Sequence, residues 1–155
     1  MNATDRLSIV ALPAWYPLGE YRRRLVLDGK PTSVVVHGDA ISKQYVCGNG
    51  FVLITQYDYF DGVSHWFYRL DPSARVLDQA STPDYFGFIQ KISVEGPTEI
   101  SFGFFGTNDQ WRLSVKEAGF WSFGRAALAR RFNRFFFCKR YLSMQRARPP
   151  REARI

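Results

Sequence analysis

Two histidines, two cysteines and a scatter of loop carboxylates are the residues with the reactivity for catalysis in this chain of 155. His37 closes a Val-rich run and His65 opens an aromatic one. A hydrolytic site sets a histidine beside a nucleophile, with an acid to orient it. Cys47 with His65, or Ser64 with His65, are the pairings left open, and neither sits in a recognisable motif. No pair of His, Cys or Asp has metal-ligand spacing within one element. Gly48-Asn49-Gly50 leads into no helix and reads as a hairpin turn, not a phosphate-cradling loop. Asp58 with Asp61, Asp84 and Asp109 offer paired carboxylates of the kind glycosidases use. In short β connections such residues ordinarily make turns. The expectation is a protein that is not an enzyme, with no metal site and no cofactor.

The elements that position these residues are mostly strands. With 14 Phe, 8 Tyr and 4 Trp the composition suits pleated surfaces and excludes a disordered chain. Leu7–Leu12 is a short apolar run preceded by Asp5 and Arg6, and reads as a first strand instead of a signal sequence. Ser33–His37 is β-branched and ends at Gly38-Asp39. Residues 41–47 alternate, and Phe51–Tyr57 begins apolar on both faces, as a central strand should. Asp61-Gly62 is a hairpin signal. After it Trp66, Tyr68 and Leu70 share one face by the two-residue period. Asp71-Pro72-Ser73 turns the chain into Arg75–Asp78. Residues 85–94 read as a longer strand, with Phe86, Phe88, Ile92 and Val94 on one side. Ile100, Phe102 and Phe104 line another face, and Trp111, Leu113 and Val115 point inward. Strands every 8 to 12 residues joined by short turns predict an antiparallel meander, folded into a sandwich or partly open barrel.

The pattern changes after Gly119. Residues 122–146 lack proline and are rich in Ala, Leu and Arg. They predict a C-terminal α-helical segment, and so an α+β fold in a single β-rich domain over 1–148, followed by a disordered basic tail at 149–155. On a helical wheel Leu142 joins Leu128, Phe132, Phe135 and Phe136 on a core face. Phe137, Tyr141 and Met144 form a second apolar stripe that needs a cover, such as a second copy of the chain in a homodimer. The formal charge of +7 is concentrated here. Residues 1–116 carry 11 basic and 12 acidic side chains, against 10 and 2 in residues 117–155. Arg22-Arg23-Arg24 is a further local cluster. No stretch reaches the roughly 20 apolar residues of a membrane-spanning helix, and a cytoplasmic protein without membrane contact is expected.

Two binding classes remain. Nucleic acid is one, through a basic aromatic C-terminal surface of Arg130, Arg134, Arg140 and Tyr141; no RNP strand, KH loop or zinc finger accompanies it. The other is a protein partner held by acidic and aromatic turn residues: Asp58, Tyr59, Phe60 and Asp61, Asp84 and Tyr85, and Asn108 and Asp109. Such groups suit a basic active-site cleft, with Tyr as an anchor. In general character over its whole length, with a small domain, no catalytic set and many turn-tip aromatics, the chain resembles bacterial immunity proteins. These protect cells from toxins of contact-dependent or type VI secretion systems. The resemblance implies a non-enzymatic inhibitor that binds one cognate toxin over its active site. The overall basicity departs from the acidic character of nuclease inhibitors, which puts the binding on the near-neutral body or on an acidic toxin surface.

Overall fold

A computed structural model describes residues 1–15, 21–82, 87–121 and 139–147. Twelve strands occupy them: β1 (Asn2–Ala3), β2 (Leu7–Ala11), β3 (Arg22–Leu27), β4 (Lys30–His37), β5 (Ala40–Cys47), β6 (Gly50–Tyr59), β7 (Gly62–Leu70), β8 (Val76–Ser81), β9 (Ile89–Gly96), β10 (Glu99–Phe104), β11 (Gln110–Trp121) and β12 (Lys139–Ala147). They form three antiparallel sheets, ordered β1-β5-β6-β7-β8, β12-β11-β10-β9 and β2-β3-β4. Among the described residues no helix occurs, and therefore none long and apolar enough to cross a membrane.

The five-stranded sheet is the middle layer, because its strands carry apolar side chains on both faces. Val52, Ile54 and Phe67 pack with Ile100, Phe102, Trp111, Leu113 and Val115 of the four-stranded sheet. Phe51, Leu53, Trp66, Tyr68 and Leu70 pack with Leu7, Leu25 and Val36 of the three-stranded sheet. Trp66, Tyr68 and Leu70 do share a face, as alternation requires. Phe51–Ile54 is buried on both sides.

The C-terminal helix is overturned where the structure describes it. Residues 139–147 are strand β12, paired with β11 from Gln110↔Ala147 to Val115↔Leu142. Among the described residues the fold is all-β, not α+β. A wheel places Leu142 and Met144 on opposite sides. The strand period puts both in one core, with Arg140 also buried and Gln145 outside. Short apolar runs fit both periods, and the partner strand decides between them. Met144 therefore belongs to the core and not to an exposed dimer stripe. Residues 122–138 and 148–155, which include Arg130, Arg134, Phe137 and the expected tail, lie outside the described residues.

β9 departs from expectation too. It starts at Ile89, and Phe88 and Val94 are exposed. Lys91 has φ 52°, and the register with β10 shifts across it, from Ser93↔Ser101 to Gln90↔Gly103. A bulge of this kind reverses which side chains face inward. Ile92 meets the core as expected, and Ile89 joins it in place of Phe88.

A second irregularity joins two layers. Val115 pairs with Leu142 and Phe120 with Arg140, so β11 carries three extra residues over this span. The backbone of β12 is thereby freed from the regular ladder. The amides of Tyr141 and Leu142 both donate to Oδ2 of Asp78 on β8, each at 2.8 Å. Nη1 of Arg140 lies 3.4 Å from Oδ1. The Asp78 carboxylate is buried and clasps the edge of the four-stranded sheet to the edge of the central one. Replacing Asp78 with alanine should lower the unfolding free energy by about 3–5 kcal/mol, since it removes the carboxylate that a buried guanidinium and two amides share. Urea unfolding followed by tryptophan fluorescence measures this. A loss of under about 1 kcal/mol, as for an exposed ion pair, would show that the clasp does not hold the layers.

Candidate functional site

Hydrogen bonds between loops gather one end of the molecule. The amide of Gly38 donates to Tyr21 O at 2.6 Å, and that of Asp39 to Gln56 O at 3.0 Å. Gly38 adopts φ 96°, and a Cβ there would lie 2.8 Å from Gln56 O and 2.9 Å from Thr55 Cβ. Only glycine turns the chain so tightly from β4 to β5. His65 Nε2 meets Gly87 O at 3.1 Å, and Phe105 N donates to Phe88 O at 2.9 Å. The β6–β7 turn, the Gly38-Asp39 turn, Tyr21, Phe88 and the turn after Phe104 thus share this end.

Exposed aromatics mark it. Phe60 sits in the turn between β6 and β7 with its side chain wholly in solvent, and Phe105 is 69% exposed. Behind Phe60, Tyr59 meets Tyr57 edge-on, with centroids 4.7 Å apart, and Tyr57 meets Tyr21 at 5.1 Å. Edge-to-face contacts of this length are mutually attractive and fix the rings in place. His37 stacks on Trp66, with centroids 5.4 Å apart, and its amide donates to Tyr68 Oη at 2.8 Å. Burial first, and Arg22 second, push the His37 pKa down, so its imidazole is neutral at pH 7.

The expected site residues divide accordingly. Asp58, Tyr59, Phe60 and Asp61 are together on the hairpin, but alternation sets Asp58 on the opposite face from Tyr57 and Tyr59. Asp58, Asp61 and Asn108 are exposed. Asp109 is buried and takes a short ion pair from Arg146 of β12. Asp84 and Tyr85 lie outside the described residues, as do Arg130 and Arg134. Arg140, expected on an open basic surface, is buried at Asp78. Tyr141 is half-buried, with the Lys139 ammonium 5.6 Å from its ring centre. Tyr21 and Tyr57 join the site from outside the expected set. The signal for Tyr57 is its two-residue spacing from Tyr59 at the end of a strand that stays apolar below them.

The two nucleophile pairings do not assemble. Cys47 closes β5 at the Gly50 turn, whereas His65 pairs with Gln56, six residues further along β6 and so about 20 Å away. Ser64 and His65 are strand neighbours whose side chains leave opposite faces. Burial pushes the Cys47 thiol up, and it donates to Pro97 O at 3.7 Å. Cys138 lies outside the described residues. Among the described residues no group of three His, Cys, Asp or Glu could hold a metal ion. No family model, curated protein or solved structure matches the chain.

His65 is wholly buried, its Nδ1 has no partner, and burial drives its pKa down to about 4, against the raising effect of Gly87 O. The unfolded chain binds this proton near pH 6.5, and the folded chain only near 4. Stability is therefore full above pH 6.5 and declines as pH falls toward 4. From pH 7 to pH 5 the expected loss is about 2 kcal/mol. Urea unfolding at both values should show it in the native chain and not in His65→Gln. Equal losses in both proteins would assign the titration elsewhere.

Proposed function

We propose that the chain is a non-enzymatic protein-binding inhibitor of the immunity type, which covers a basic site on a cognate toxin with the β6–β7 end. The observation that carries this reading is Phe60, a fully exposed phenylalanine at a tight turn, in a hairpin whose strand end is fixed by the ring contacts of Tyr59 with Tyr57 and of Tyr57 with Tyr21. A phenylalanine left in water forgoes about 1.5–3 kcal/mol of burial, which a partner pocket recovers. The ladder holds the hairpin in shape before binding, so little ordering entropy is lost on association. Large rigid anchors of this type dominate binding energy at protein interfaces. Asp39, Asp58 and Asp61 are exposed around them and favour a cationic partner surface. The alternative basic C-terminal surface is weakened by Arg140, whose guanidinium is used internally at Asp78.

The test is capture from native host lysate with tagged protein, washed at high salt after nuclease treatment. One protein should be retained in stoichiometric amount, and its activity should be inhibited by the purified chain. Replacing Phe60 and Tyr59 with serine should weaken that complex by about 100-fold or more, in line with two anchor positions. Loss of all bound protein after nuclease, or undiminished inhibition by the double variant, would remove the hairpin from the interaction.

A further inference from the structure

The bulge in β11 also shapes a cleft. Residues 116–119 have no register partner on β12, because the ladder passes from Val115↔Leu142 to Phe120↔Arg140. Close backbone contacts fix this stretch on both sides. Gly119 adopts φ 67°, and a Cβ there would lie 2.6 Å from Lys139 Cε and 3.0 Å from Arg140 O. A Cβ on Gly48 would collide with Oε1 of Glu117, which therefore rests against the β5–β6 turn. Only glycine permits both approaches. Beside the bulge lies a cleft of about 600 Å³, in the size range of small-ligand sites. It belongs to the β5–β6 end of the molecule, and the length of β6 separates that end from Phe60 by about 30 Å.

Its walls mix apolar and polar groups, as ligand sites do. Ala118 and the half-buried Phe120 supply apolar surface, and Thr98 and Ser143 each bring a hydroxyl. Lys116 and Glu117 add one charge of each sign. Among the described residues neither charge has an ion-pair partner, and neither hydroxyl makes a hydrogen bond. A cleft with cations alone selects an anion, and one with several carboxylates selects a metal ion. A single charge of each sign selects a ligand that carries both. Consecutive strand side chains diverge, and Glu117 is turned toward Gly48, so the two charges stand apart. That spacing suits the two ends of a short peptide better than an amino acid, whose charges share one carbon. Thr98 and Ser143 can each donate and accept, which is what a peptide group between the two ends requires.

We propose that this cleft binds a dipeptide with apolar side chains, its carboxylate at Lys116 and its ammonium at Glu117. The site stands apart from the Phe60 hairpin and does not depend on the inhibitor reading. Isothermal titration calorimetry of the full chain with leucyl-leucine tests it. Saturable binding at about 1 mM or tighter is expected. N-acetylation and C-amidation of the probe should each weaken it about tenfold, since each removes one charged hydrogen bond. Lys116→Met should weaken the zwitterion by a similar factor, yet bind the amide as the native chain does. Glu117→Gln should weaken the zwitterion likewise, yet bind the acetylated form as the native chain does. Both positions are exposed, so the two variants keep the fold. An absence of saturable binding up to about 10 mM would overturn the proposal. So would equal affinity for the zwitterion and its blocked forms, or variants that bind the zwitterion as tightly as the native chain. Tighter binding of inorganic phosphate or of glucose would overturn it too, and would give the cleft to an anion or a sugar.

Discussion

A β-sheet covered on both faces has no solvent side on which to place polar groups. The first half of β6 is in this position, with Phe51 and Leu53 turned to one neighbouring sheet and Val52 and Ile54 to the other. Once this strand is committed to two cores, β5 and β7 must pair with it along their length, and the outer layers must cover it. Polar chemistry is then displaced to the two ends and the two outer faces. Phe60 and Phe105 are exposed where β6 outruns the three-stranded sheet, and its last tyrosines, Tyr57 and Tyr59, keep the alternation of the core there while losing part of its cover.

The few polar groups that remain inside are tied to backbone irregularities. Arg69 is buried and gives Nη1 to the carbonyls of Cys47 at 3.0 Å and Phe51 at 3.3 Å, on either side of the β5–β6 turn. Asp71 organises the β7–β8 turn. Its Oδ1 accepts the amides of Ser73 and Arg75, and its Oδ2 meets Arg75 Nε at 2.7 Å. Burial pushes this carboxyl up, yet the Arg75 amide and guanidinium and the Ser73 amide together hold it below the usual range. Asp78 plays the same part between layers. In each case a single side chain satisfies backbone or ionic groups that a regular ladder would not reach.

Much of this was legible in the sequence where the two-residue period ran without interruption. The faces of β7, β10 and β11 follow from Trp66-Tyr68-Leu70, Ile100-Phe102-Phe104 and Trp111-Leu113-Val115. The period held at Ile92 but failed before Lys91, where one residue with positive φ put Ile89 inward in place of Phe88, and nothing in a lysine announces a bulge. It failed again at 139–147, where Arg140, Leu142 and Met144 alternate correctly, but follow an Ala- and Arg-rich stretch whose helix propensity masks the change. The candidate site was readable as far as the hairpin residues themselves. That Tyr21 would brace Tyr57, or that Asp109 would be taken up by Arg146, depends on meetings between residues far apart in sequence. No local pattern encodes them.

The bulge in β9 has a further meaning for the molecule as a whole. β9 ends the four-stranded sheet, and among the described residues its outer backbone groups have no strand beside them within that sheet. A flat edge of this kind recruits other chains and lets a sheet grow without limit. Holding Lys91 at φ 52° costs on the order of 1–3 kcal/mol, and in return it bends the edge and sets a charged side chain at the break. The opposite edge, β12, is occupied by the Asp78 clasp. A bent strand on one side and a partly tethered one on the other are features that disfavour strand addition at a sheet edge.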